Sequence, residues 1–206
     1  MSRRSSIQTL LSESELQFED IQERYVRSAE RLELDPVVGV RIKNYCENLR
    51  SVLDYLANEI RERCCSGGGT NRYYFPIIEK KKFFDARMKG WFPGLSLCCP
   101  EVFSYLYSVQ PLRHRRPPPY LRWLWHFNRL NNAGKHDDLV IHTTLEAPPE
   151  RSGRLGGYAI QSERGRWTEI RFRLPRKNAV VLLWQALEGI HEIEINLAPM
   201  LGERGY

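Results

Sequence analysis

The chain has 206 residues, 42% of them hydrophobic, with five cysteines and a formal net charge of +6. That is enough apolar material to bury a core without disulfides or a structural metal, and it predicts one domain, residues 1–206, with an elaboration. The charge permits a polyanionic partner without requiring one, and no window reaches the roughly 18 consecutive apolar residues that span a bilayer.

Met1-Ser-Arg-Arg-Ser-Ser is basic, but an acidic amphipathic run from Ser12 to Glu33 follows it in place of an apolar signal core. A cytoplasmic protein with no membrane partner is the expectation. Ile7, Leu11, Phe18, Ile21, Tyr25, Ala29 and Leu32 recur at three- and four-residue steps, which predicts a first helix over about 7–34, ended by Asp35-Pro36. Ile42, Tyr45, Leu49, Leu53, Leu56 and Ile60 predict a second over about 41–64, stopped by Ser66-Gly67-Gly68-Gly69. The short link between them favours an antiparallel hairpin. Residues 70–98 read as a long irregular connection held by aromatic anchors, with Lys80-Lys81-Lys82 and Trp91-Phe92-Pro93-Gly94 inside it.

Pro100 begins a short helix to about 109, and another is predicted over about 120–133 with Gly134 as its C-terminal cap. Alternation from Leu139 to Glu146, and two strand-like runs around Glu163-Arg164-Gly165-Arg166, predict a small antiparallel sheet inserted over about 138–175. Asn178 caps a last helix over about 179–198, in which Val180, Leu183, Trp184, Leu187, Ile190 and Leu197 recur. Added Val181, Leu182, Ile193 and Ile195 make that helix apolar around most of its circumference, as for the middle of a bundle. The fold class is therefore mainly α, with a small sheet before the C-terminal helix.

The most informative stretch is basic and aromatic. From Pro111 to His136 there is no Asp or Glu, while Arg113, Arg115, Arg116, Arg122, Arg129 and Lys135 are interleaved with Tyr120, Trp123, Trp125 and Phe127. Cations beside planar rings are what phosphates and unstacked bases bind. The bland alternative stays open: aromatics in the core, arginines solvated outside. Arg129 and His136 are seven positions apart, about 10 Å along a continuous helix, too far for both to touch one phosphate. A helix ending at Gly134 would let His136 fold back. An imidazole and a guanidinium meeting at a ribose-phosphate are sufficient in kind for metal-independent RNA cleavage, one removing the 2′-hydroxyl proton and the other stabilising charge on phosphorus.

Other candidates carry less. Cys46 and the vicinal pairs Cys64-Cys65 and Cys98-Cys99 lack metal-ligand spacing and read as reduced thiols, so no metal or cofactor is expected. Asn48, Ser51 and Asp54 read as a polar network on a packing helix, with Asp54 joined to the Asn132 region. His191-Glu192-Ile193-Glu194 lacks the second His of a zinc-protease helix, and Gly67-Gly68-Gly69-Thr70 lacks the Lys of a phosphate loop.

Asn48-Leu49-Arg50-Ser51-Val52-Leu53-Asp54, Phe75-Pro76-Ile77, Gln110-Pro111 and Leu130-Asn131-Asn132 leading to Lys135-His136 stand in an order that resembles uncharacterised bacterial proteins with a HEPN-like helical core. The likeness runs from about Lys43 to His136, then through the insertion and last helix. It implies a bundle of four or five helices, frequent dimerisation, and in nuclease members an Arg followed by a His after four to six residues. Arg129 and His136 have six residues between them, and Leu130 stands where the family usually has a polar residue. The resemblance implies RNA, a cognate antitoxin or another protein as partner, in a toxin or defence setting. Three readings follow: an RNA- or partner-binding protein; a metal-independent endoribonuclease with Arg129 and His136 as catalytic pair; a purely structural interaction module. In the first two, Asn132, Lys135, Arg122, Arg115 and Arg116 contact substrate, while Asn48 and Asp54 are structural.

Overall fold

The computed structural model describes residues 3–31, 35–65, 73–112, 122–136, 141–147, 160–161, 167–172 and 178–202; for residues 29, 30, 133–136 and the strands it describes the backbone alone. The described chain is mainly helical: α1 (Arg3–Arg31), α2 (Val37–Cys64), α3 (Lys81–Trp91), α4 (Leu95–Cys98), α5 (Pro100–Ser108), α6 (Arg122–His136) and α7 (Ala179–Gly202). Short strands β1 (Ile141–Ala147), β2 (Ile160–Gln161) and β3 (Trp167–Phe172) pair antiparallel in the order β1-β3-β2, with an irregularity between His142 and Leu145. No described helix is long and apolar enough to cross a membrane.

The residues group into two compact units, one of Met1–Leu11, Leu49–Trp125 and Glu188–Tyr206, the other of Ser12–Asn48 and His126–Leu187. In the first unit, Leu49, Val52, Leu53, Leu56, Ala57 and Ile60 line a stripe of α2 that is fully buried. Phe84 and Met88, four apart, bury one face of α3, and Phe84 meets the Phe103 and Tyr107 rings at 5.7 and 5.3 Å. The extended segment before α3 is tied down at several points. Asp54 accepts from the Phe75 N–H at 3.0 Å, the Tyr73 hydroxyl donates to Asn58 at 2.7 Å, and buried Gln110 accepts from the Ile78 N–H at 2.8 Å. Arg61 reaches the Trp91 carbonyl, and Arg63 donates to the Leu201 carbonyl at the end of α7.

In the second unit, Ile21, Tyr25, Val38, Ile42, Tyr45, Phe127, Leu130, Leu182 and Leu183 are buried. The Tyr45 hydroxyl donates to the Leu183 carbonyl at 2.8 Å. Asn178 starts α7 as its position predicts: its Oδ1 accepts from the Val181 N–H, and its amide donates to the Tyr25 hydroxyl. Asp35 does the same for α2, accepting from the Val37 N–H at 2.9 Å while Arg24 bridges it to Asp20.

Four expectations are corrected. Helix α2 begins at Val37, not near 41, because Asp35-Pro36 is a start signal for α2 as much as a stop for α1. Residues 81–91 and 95–98 are helical where an irregular connection was expected; Phe84 and Met88 supply an apolar face that the lysine run obscured. Helix α6 continues through Gly134 to His136, so Gly134 is not its cap. Helix α7 is not enclosed all round, since Trp184 and Ile195 are 44% and 63% exposed.

Two outcomes test this packing. A methyl group at Gly189 would lie 2.2 Å from atoms of the Trp123 ring, so Gly189→Ala should lower the unfolding free energy in urea by about 1–3 kcal/mol; an unchanged midpoint would mean that the ring swings away freely. The Val37 N–H and the Arg24 guanidinium hold the Asp35 carboxyl below its ordinary range. Its contribution is thus present above about pH 4 and is lost as pH falls through the lowered folded value. Asp35→Asn should flatten the fall in melting temperature over that acid window, and a variant whose acid profile superimposes on the parent contradicts this.

Candidate functional site

Helix α6 carries the acid-free region into the fold. Its buried side is Leu124, Phe127, Leu130 and Asn131, with His126 8% exposed. Its other side exposes Arg122, Arg129 and Asn132. Positions 122, 125, 129, 132 and 136 follow steps of three and four, so they form one stripe along the helix, with Arg122, Arg129 and His136 at successive seven-residue intervals.

Continuity of α6 fixes the spacing of the candidate pair. Seven residues of helix hold the Arg129 and His136 backbones about 10 Å apart along the axis, in one phase. The fold-back that would bring His136 to Arg129 requires the helix to stop at Gly134, and it does not stop there. Lys135 lies in the same last turn. Arg115 and Arg116, with the rest of Arg113 to Pro119, lie outside the described residues, as do Asp137 and Asp138.

The described aromatics of α6, Trp123, Trp125 and Phe127, serve the fold. Phe127 is fully buried, half-buried Trp125 donates its indole N–H to Glu79 at 2.6 Å, and Trp123 abuts Gly189. Their rings are therefore occupied, and what α6 offers outward is guanidinium and amide. Asn131 is buried with its Oδ1 lacking a hydrogen-bond partner among the described residues.

The two structural polar residues have separate partners. Asn48 donates to Gln17 at 3.2 Å in the second unit. Asp54 accepts from Arg50 at 2.8 and 3.2 Å and from the Phe75 N–H in the first unit. The arginine one turn earlier and the Phe75 amide are the partners that this carboxylate has within its own unit.

Among the described residues no group of three or more His, Cys, Asp or Glu is placed to hold a metal ion. None of the five cysteines is in a disulfide, with Cys46, Cys64 and Cys99 buried, Cys65 half-buried and Cys98 exposed. Burial pushes the Cys46 thiol far above its ordinary value and the Cys65 thiol up to about 11, so neither is a thiolate at neutral pH. No family model, curated protein or solved structure matches the chain.

Burial sets the order of thiol reactivity. With an aromatic disulfide reagent at neutral pH, Cys98 should react first and Cys46 and Cys99 only on unfolding, as read by peptide mass mapping. Labelling of Cys46 in step with Cys98 would contradict the burial of the α2 stripe.

Proposed function

We propose that the protein binds RNA, holding the sugar-phosphate backbone along the exposed stripe of α6, and that a single copy binds without cleaving. The observation that carries this reading is the continuous helix from Arg122 to His136, with Arg122, Arg129 and Asn132 on its exposed side and no carboxylate between Pro111 and His136. Guanidinium groups one seven-residue step apart match a charged, extended ligand better than a single small anion. Asn132 adds a donor and an acceptor between Arg129 and His136, and Lys135 adds a further positive charge in the last turn. The ordered likeness to HEPN-type sequences points toward the same ligand.

Cleavage by Arg129 and His136 asks for convergence on one phosphate, which the rise of about 10 Å between them opposes within one copy. Two copies facing each other are the arrangement that would restore it, so the test includes a chemical readout.

Fluorescence anisotropy with labelled RNA measures the proposal. The double variant Arg122→Ala/Arg129→Ala should weaken binding and reduce the slope of log affinity against log salt by about 1.4, at roughly 0.7 for each phosphate no longer neutralised. An unchanged slope sinks the α6 reading. Incubation of metal-free protein with mixed RNA should leave no cyclic-phosphate ends. If such ends form and vanish in both Arg129→Ala and His136→Ala, a dimeric ribonuclease replaces simple binding.

A further inference from the structure

Helix α3 turns its core face inward through Phe84 and Met88 and presents a different stripe outward. Phe83, Arg87 and Trp91 follow at four-residue steps along it, spanning about 12 Å. Phe83 is 50% exposed, Arg87 is exposed, and Trp91 is half-buried at the end of the row. Tyr74, 51% exposed, stands edge-on to Trp91 with ring centres 6.2 Å apart. Two rings of this size, Phe83 and Tyr74, left half in water are a cost that folding did not remove, although the same helix buries Phe84 completely.

The rings come with cations. Lys80 and Lys82 place their ammonium groups 5.8 and 5.0 Å from the Phe83 ring centre, and the Arg87 guanidinium lies 4.7 Å from that of Trp91. Between Lys80 and Lys89 five cations accompany a single carboxylate, Asp85. Neighbouring Glu79 is engaged by the Trp125 indole. The platform is also held in place: the Arg50–Asp54 pair and the Phe75 N–H fix the segment that carries Tyr74, and the Arg50 guanidinium sits 5.9 Å from the Tyr74 ring centre.

We infer that this face of α3, together with Tyr74, binds single-stranded RNA, its bases stacking on Phe83 and Tyr74 while Lys80, Lys82 and Arg87 neutralise the flanking phosphates. Aromatic platforms rimmed by mobile cations suit unpaired bases, because every base has a π-face and a duplex hides it. A membrane surface fits less well. The helical neighbours of Phe83 on its exposed side are Ala86, Arg87 and Gly90, and Trp91 at the far end of the row is half-buried beyond the Arg87 cation, so α3 has no continuous apolar stripe to insert beside that ring. The inference deepens the RNA reading by naming the strand state, and it rests on side chains that the α6 stripe does not use.

The test uses the full chain with a labelled oligouridylate, a duplex RNA of equal length, and phosphatidylserine vesicles. Phe83→Leu and Tyr74→Leu, which keep charge and apolar bulk, should each weaken oligouridylate binding by roughly 5- to 150-fold, the range of one lost base stack, and leave duplex binding unchanged. Phe83→Trp, which keeps a ring, should retain single-strand affinity. Unchanged oligouridylate affinity in both leucine variants overturns the inference, as does binding of the parent to vesicles but not to the oligonucleotide. If those variants are neutral while Arg122→Ala/Arg129→Ala weakens binding, the α6 reading survives and this one fails. The reverse pattern rejects α6 and keeps α3.

Discussion

Within each unit, the buried face of the stretch of α2 that it contains is the largest apolar constraint. Val38, Ile42, Tyr45, Cys46, Leu49, Val52, Leu53, Leu56, Ala57, Ile60 and Cys64 are each no more than 2% exposed, a stripe kept up along the whole helix. Burying each large side chain contributes about 1.5–3 kcal/mol, against about 0.5–1.5 kcal/mol for an ordinary hydrogen bond. Apolar area therefore decides which way α2 faces. Polar interactions decide details: Tyr45 on the Leu183 carbonyl, Asp54 on the Phe75 N–H, Asp35 on the first turn.

The same rule sorts the aromatic residues by burial. Trp123, Trp125 and Phe127 sit in the basic segment and look like a base-binding set when read in a line, yet each is occupied by burial, by Gly189 or by Glu79. Phe83 and Tyr74 lie in a stretch that reads as mere connection, and they keep half of their surface in water. What distinguishes the two groups is helical phase relative to the core. On α6 the outward positions are Arg and Asn; on α3 and the segment before it they are Phe, Arg and Tyr. The two surfaces differ in chemistry, guanidinium and amide groups in one case and half-exposed rings beside cations in the other.

Legibility in the sequence followed the strength of the periodic signal. Helices α1, α2 and α7 were readable from their apolar repeats, and the Asn178 cap from its place before one. Helix α3 is hidden because Phe84 and Met88 are its only buried side chains within eleven residues that open on lysines, end at Trp91 and are followed by Phe92-Pro93-Gly94. The end of α6 was misplaced because Gly134 resembles a cap, although nothing forbids glycine within a helix beyond a cost of about 1 kcal/mol. That one boundary changes the chemistry, since it separates Arg129 from His136. The partners of Asp54 were beyond sequence reasoning: an arginine four residues away was visible, but the Phe75 amide comes from a segment 21 residues on.

Photo-crosslinking bears most directly on the central claim, that outward side chains of α6 and α3 hold RNA. Full-length protein would be irradiated with a 4-thiouridine oligonucleotide, digested, and mapped by mass spectrometry. Adducts concentrated in peptides carrying Phe83 to Trp91 and Arg122 to Asn132 are the predicted result. Adducts confined to the exposed sides of α1 and α7, or none at saturating RNA, would contradict the account.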